Sequence, residues 1–394
     1  MILNAQRASL PRTVWALGFV SLFMDASSEL VHSLLPLYMA TSLGASMLLI
    51  GLVEGVAEAT AQVVKVFSGT LSDLLGKRKM LTVIGYGLAA LSKLVFPLAS
   101  SIVWVFGARV MDRVGKGIRG APRDALIADI TPPNMRGAAF GLRQALDSVG
   151  AVIGPLLAIG LMLMFANDIK LALWFAVIPA ALSMLVLIMG VEEPVALATQ
   201  SRHQLSWRDA ERLSARFWWV VGLGSVFTLA RFSEAFLVLR AAQLGSGLSF
   251  APLVLIVLSV FYALVAYPAG IAADRMRGSS LLLAGLLMLV ISELVFARAT
   301  SPVAVLVGAA LWGTHLGLTQ GLLSKLVADT APAGLLGTAF GVFNLASGMA
   351  MLLASLIAGG VWQWFGAAAT FYVGAGFAGC ACLGVVLGVR ARVF

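Results

Sequence analysis

Twelve long apolar segments follow one another along the chain, and no other feature restricts its fold so tightly. They run over 13–40, 47–73, 80–99, 102–128, 137–165, 170–190, 216–243, 249–275, 280–298, 302–329, 337–362 and 367–389 of the 394 residues. Each is close to or beyond the roughly 20 residues that an α-helix needs to cross the hydrocarbon of a bilayer. Backbone polar groups in lipid must be satisfied internally, which leaves helices or a closed barrel, and the alternation of barrel strands is absent. Only 11% of the residues are charged and 60% are hydrophobic, with a mean hydropathy of +0.98. A soluble fold carries about 25% charged residues, so a soluble enzyme, a nucleic-acid binder and a disulfide scaffold are excluded. The expected fold class is an all-α polytopic membrane protein of twelve transmembrane helices.

The net charge of +9 follows from the loops. Lys77, Arg78 and Lys79 follow the second segment, Arg136 the fourth, and Arg275 and Arg277 the eighth. Arg202, Arg208 and Arg212 lie mid-chain, and Arg390 and Arg392 near the end. The opposite loops hold little beyond Lys170 and Arg298. Cytoplasmic loops collect Lys and Arg, so both termini are expected in the cytoplasm of a bacterium, with the protein in its inner membrane. One long polar stretch, 191–215, is expected as a cytoplasmic linker between bundles at 1–190 and 216–394. The first segment contains Asp25 and Glu29 and exceeds the length of a signal-peptide core, so no cleavable signal is expected. Cys380 and Cys382 are two residues apart on different helix faces, which argues against a disulfide or a metal site.

The two bundles are related in sequence. Gly44, Gly69 and Asp73 recur at Gly245, Gly270 and Asp274, an offset of 201. Ala128, Asp129, Pro132, Gly137, Phe140 and Gly141 recur at Ala328, Asp329, Pro332, Gly337, Phe340 and Gly341, an offset of 200. Six crossings return a chain to its starting side, so these are repeats in the same topology. Gly69, Leu71, Asp73, Gly76, Lys77, Arg78 and Lys79 resemble the loop 2–3 motif of the major facilitator superfamily, with Leu74 in place of the usual basic residue. Gly150, Gly154 and Pro155 in the fifth segment are similar to the motif associated with its antiporters, without the paired glycines that follow it there. The resemblance covers essentially the whole chain, and the Asp25–Glu29 run with the fourth segment is similar to a bacterial branch of that superfamily. It implies alternating access around a central cavity lined by helices one, four, seven and ten.

A charge at the bilayer centre costs about 2.5 to 3.5 kcal/mol on insertion scales, yet the chain carries many in ordered stripes. Asp25, Glu29 and His32 share one face of helix one; Glu54, Glu58, Gln62 and Lys65 share one of helix two. Arg109, Asp112, Arg113, Lys116 and Arg123 run down helix four with Arg119 slightly off the row. Arg231, Glu234 and Arg240 lie in helix seven, and Thr314, His315, Gln320 and Lys325 in helix ten. Asp25 and Glu29 are expected to exchange protons, with Arg109 and Arg113 as counter-charges because Arg stays protonated and forks onto carboxylates. The competing reading is a static salt bridge that keeps helix four inserted. The expected proton and substrate cavity comprises Asp25, Glu29, His32, Arg109, Asp112, Arg113, Lys116, Arg231, Glu234 and His315. Gly69, Asp73, Gly76, Arg78, Arg119, Arg123 and Asp129 are expected to form a cytoplasmic gate holding the bundles together, Asp73 alternatively capping helix eleven.

Two histidines, His32 and His315, without nearby thiolates make a thin metal site, so no metal is expected. The 15 methionines read as packing. Lys93 and Glu293 on peripheral helices read as packing pairs or interface anchors. Gly115 and Gly117 lie inside a span with no strand before them, which fits close helix packing rather than a nucleotide loop. No phosphate-binding loop for ATP is present, and no cofactor is expected. The favoured expectation is proton-coupled antiport exporting a small organic solute, by a monomer in the lipid bilayer with no nucleic-acid partner. The first alternative is proton-linked uptake of an anionic solute or metal chelate, motivated by the basic excess of helix four. A membrane-embedded enzyme lacks any nucleophile elbow or catalytic domain, and a channel suits a duplicated bundle less well.

Overall fold

A computed structural model describes residues 10–193, 211–319, 321–332 and 335–391, without the side chains of Thr70, Asp73, Leu74 and Asp274. The side-chain role expected of Asp73, and those of Gln320, Arg202, Arg208, Arg392 and most of the linker, therefore lie outside the described residues. Twelve helical crossings occur among the described residues. The first six are α1 (Arg12–Leu37, prolonged by a π-turn over Tyr38–Ser42), α2 (Met47–Leu75), α3 (Arg78–Leu98), α4 (Ile102–Ile130), α5 (Arg136–Met164) and α6 (Ile169–Gly190). The last six are α7 (Ala215–Leu229 and Ala235–Ala241), α8 (Leu253–Arg275), α9 (Gly278–Arg298), α10 (Pro302–Thr319 and Leu322–Thr330), α11 (Leu336–Phe365) and α12 (Ala367–Arg390). Ten are long and apolar enough to span a membrane; α4 has the length, 29 residues, but carries the charged row, and α7 is broken.

Local chemistry sets the helix ends. Ser46 accepts from Leu49 N at 3.2 Å to start α2, and Asp168 accepts from Leu171 N at 3.0 Å to start α6. Gly76 closes α2 at φ +62°, a left-handed position that suits glycine. The continuous helix expected over 216–243 is not what forms: residues 230–234 leave the helix and place Arg231 and Ser233 in the break. Side chains replace the lost helical bonds there. Ser233 Oγ accepts from Ala235 N at 3.3 Å, and Ser233 N approaches Ser355 Oγ of α11 at 3.4 Å. Irregular backbone at membrane depth is tolerated where protein groups satisfy it in this way.

Small residues bring the helices together. A Cβ at Gly115 of α4 would stand 2.5 Å from Gly85 O and 2.9 Å from Ala89 N of α3, and one at Gly117 2.7 Å from Val64 Cβ of α2. The packing role expected of both glycines is thus explicit. Ser92 and Phe96 of α3 recur 200 residues on as Ser292 and Phe296 of α9, and all four are fully buried.

The first and last six helices meet mainly through α2 with α11 and α5 with α8. Their contacts concentrate toward the face opposite the one where α1 begins. Met47 N donates to Gln363 Oε1 at 3.0 Å, and Ser249 Oγ to Asn167 Oδ1 at 2.6 Å. A Cβ at Gly51 would fall 2.2 Å from Ser355 O, and one at Gly359 2.4 Å from Met47 O. A single apolar cluster, including Leu34, Tyr38, Ile50, Phe236 and Trp362, crosses both halves there. Nearer the terminal face the clusters separate, one around Leu17, Tyr86 and Leu126 in the first half, others around Phe217 and Phe227 in the second. The far face is sealed, and a cavity occupies the terminal side.

Candidate functional site

Two charged assemblies occupy the interior. The first is a largely buried array on α2, α3 and α4, in which Glu58 alone is a quarter exposed. Arg109 donates to Glu54 at 2.7 Å and lies 3.7 Å from Glu58, while Arg113 stands 3.2 Å from Glu58. Lys93 Nζ reaches Asp112 at 2.6 Å, and Asp112 lies 3.6 Å from Arg113 and 4.0 Å from Arg109. Three carboxylates thus face three cations with no net charge, which is how such groups are held out of water. Glu54 also accepts from Ser233 Oγ at 3.3 Å, so the array touches the break in α7 across the two halves.

The second assembly lines the cavity, which has two lobes of about 470 and 550 Å³. Asp25, Glu29, Lys65, Lys116, Arg119, Arg123, Asp124, Arg143 and Asp147 face the first lobe. Arg143 pairs with Asp147 at 2.7 Å and with Asp124 at 3.3 Å. Arg123 bridges Asp124 at 3.1 Å and Ser21 Oγ at 3.0 Å, and Arg119 approaches Asp25 at 3.9 Å while stacking over Tyr86. The second lobe is walled by Phe227, Tyr262, Leu316, Phe343 and Met351, with Arg231 and Glu234 at the α7 break. Glu29, Ala151, Ser259 and Tyr262 border both lobes, which therefore communicate.

The fifth-helix glycines acquire a physical role. A Cβ at Gly150 would lie 2.6 Å from Leu22 O and 3.1 Å from Asp25 Cβ; at Gly154, 2.6 Å from Glu29 Cβ and 2.7 Å from Ala26 O. They let α5 press against the turns of α1 that carry Asp25 and Glu29, and Pro155 follows within the same buried stretch.

Several expectations are corrected. The counter-charges of Asp25 and Glu29 are not Arg109 and Arg113, whose carboxylates are Glu54 and Glu58. Arg109, Asp112 and Arg113 are buried behind the cavity, whereas Lys116 faces it. Arg119 and Arg123, expected in a gate, line the first lobe. Arg78 pairs with Asp129, both in the first half, and this pair ties α3 to α4. Gly69 faces Ala121 of α4 in ordinary contact. His315 is fully buried, hydrogen-bonded to Gly285 O at 2.8 Å and packed on Phe227, and does not border the lobes. His32 lies near Glu54, Glu58 and Glu234. Lys93 and Glu293 are not packing partners of one another: Lys93 holds Asp112, while Glu293 is buried against Gly374. Sequence reasoning missed Asp124, Arg143, Asp147 and Tyr262; the four-residue spacing of Arg143 and Asp147 was the available signal.

No group of three or more metal-ligating side chains occurs among the described residues. The family model of the Major Facilitator Superfamily matches residues 17–257 and 226–393. A protein of Methanocaldococcus jannaschii named as an uncharacterised MFS-type transporter is 31% identical over 367 residues, covering 91% of each chain. Multidrug resistance protein MdtH of Photorhabdus laumondii is 31% identical over 159 residues, 40% of this chain and 38% of that one. Among solved structures, a POT family transporter in complex with 5-aminolevulinic acid superposes with a TM-score of 0.82 at 13% identity, covering 97% of both chains. The duplicated twelve-helix bundle and its matches along the whole length agree: this chain is a transporter, not an enzyme, and belongs to the Major Facilitator Superfamily.

Proposed function

We propose that the chain moves a small organic solute by proton-coupled alternating access through the two-lobed cavity, with Asp25 and Glu29 exchanging the protons. One observation carries this: both carboxylates border the cavity, Asp25 with a guanidinium at 3.9 Å and Glu29 with no cation within 4 Å among the described residues. A carboxylate so loosely held, in a cavity whose access to water changes as the bundles rock, takes up a proton when it is desolvated and releases it when water returns. Arg231 and Glu234 at the α7 break meet the solute from the other half. With the termini in the cytoplasm, the sealed far face makes this arrangement inward-open. Export is favoured by the multidrug-resistance relative and by the fifth-helix glycines. Proton-linked uptake of an anion is the second reading, favoured by five cations against four carboxylates in the first lobe.

Everted membrane vesicles with an acid-loaded lumen and a pH-sensitive dye test the proposal with a panel of organic cations, organic anions and metal chelates. Proton efflux triggered by one compound and lost in Asp25→Asn is the expected result. Silence across the panel, with binding still detectable, would overturn proton antiport and return Asp25 to a structural role.

A further inference from the structure

The first lobe does not distribute its partners evenly. Its guanidinium groups are engaged: Arg143 with Asp147 and Asp124, Arg123 with Asp124, Arg119 with Asp25. Its two amines are not. Lys65 of α2 and Lys116 of α4 are both exposed to the cavity, and neither has a carboxylate within 4 Å among the described residues. Asp25 and Glu58, the acids close enough to feel Lys116, already face Arg119 and Arg113.

The fold places the two lysines at one helix crossing on the same lobe. Gly117, lacking a side chain, admits Val64: its Cβ would stand 2.7 Å from Val64 Cβ and 3.0 Å from Ala61 O. Lys116 precedes Gly117 and Lys65 follows Val64, so the two flank one helix crossing. Both lysines face the same lobe with no carboxylate in ion-pair contact among the described residues, Lys116 feeling Glu58 and Asp25 only at longer range. From Lys65 and Lys116 the cavity leads past Glu29 and Tyr262 to the aromatic and apolar wall of the second lobe.

Resting on the reading of this cavity as the solute's site, we propose that Lys65 and Lys116 form an anion-binding subsite. It takes the carboxylate or phosphate of an amphipathic organic anion whose apolar body lies on Phe227, Tyr262 and Phe343. The solute's direction of travel does not enter the proposal.

Equilibrium binding to the purified full chain in nanodiscs of zwitterionic lipid tests it without reference to protons or transport. Four probes share one apolar body: naphthoate, naphthyl phosphate, naphthylmethylammonium and naphthylmethanol. The two acids are expected to bind about tenfold or more tighter than the alcohol, the equivalent of one charge-assisted contact. K65Q/K116Q should remove that advantage without changing the alcohol, and K65R/K116R, which keeps both charges, should retain it. Equal thermal midpoints and elution volumes for the variants exclude misfolding. Displacement of naphthyl phosphate by a lysophosphatidate far below the concentration needed of inorganic phosphate would support the subsite with a lipid as source; comparable displacement would support a water-soluble one. Unchanged binding of the acids to K65Q/K116Q, or absence of acid binding to the unaltered chain, would overturn the subsite. Tight binding of the ammonium probe, sensitive to Glu234→Gln but not to the lysine changes, would also refute it while leaving the cavity as the solute's site.

Discussion

Replacing Lys93 by Met puts the buried array to a quantitative test. Lys93 and Asp112 are 2.6 Å apart with side chains only 1% and 3% exposed. The neutral balance of Glu54, Glu58 and Asp112 against Lys93, Arg109 and Arg113 is broken by K93M, which leaves one surplus negative charge. Stranding one member of a buried pair costs about 3 to 5 kcal/mol. Asp112 is not wholly stranded, because Arg113 at 3.6 Å and Arg109 at 4.0 Å remain. The expected loss therefore sits at the low end, about 3 kcal/mol. Methionine follows the path of the lysine stem, so the packing change is minor. Asp112→Asn alone leaves a surplus positive charge and should also destabilise. K93M/D112N restores neutrality, so the double variant should be less destabilised than the sum of the singles by about 2 kcal/mol. Unfolding in mixed micelles titrated with SDS, followed by the fluorescence of the nine tryptophans, measures all four chains. A K93M loss below about 1 kcal/mol, or strict additivity, would refute the argument that mutual neutralisation holds the array in place.

Gly154→Leu should cut transport by about tenfold or more, because its side chain must displace Glu29 or the α1 backbone, and small misplacements at a site are expensive; normal rates would disprove the role given to this contact. In a chain with Cys380 and Cys382 changed to Ala, an oxidised disulfide between M47C and Q363C should stop transport until reductant is added, since it holds the far face shut. Undiminished transport by cross-linked protein would rule out opening at that face. Glu293→Met should raise stability by about 1 to 3 kcal/mol, because both carboxyl oxygens are buried with no hydrogen-bond partner among the described residues. A fall in the SDS midpoint would show that the carboxyl is satisfied in the membrane.

The sequence by itself determined the twelve crossings, the duplication and the three charged stripes of helices one, two and four. Unsatisfied backbone in lipid forces each apolar run into a helix, and intramembrane charge is so unfavourable that every instance is conspicuous. It also marked Gly150 and Gly154, without revealing that their contact is the turn of α1 bearing Asp25 and Glu29. The break in α7 was illegible: residues 230–234 contain neither Gly nor Pro, and the conformation depends on Ser355 from a helix more than 100 residues away. Which acid meets which base was likewise decided only in three dimensions. Opposite charges announce an attraction, but helix rotation and side-chain reach give Arg109 and Arg113 to Glu54 and Glu58, and leave Asp25 to Arg119. Periodicity places a side chain on a face of its own helix; the neighbour that face meets is set by packing against helices distant in the chain, where closely approaching glycines fix the distances.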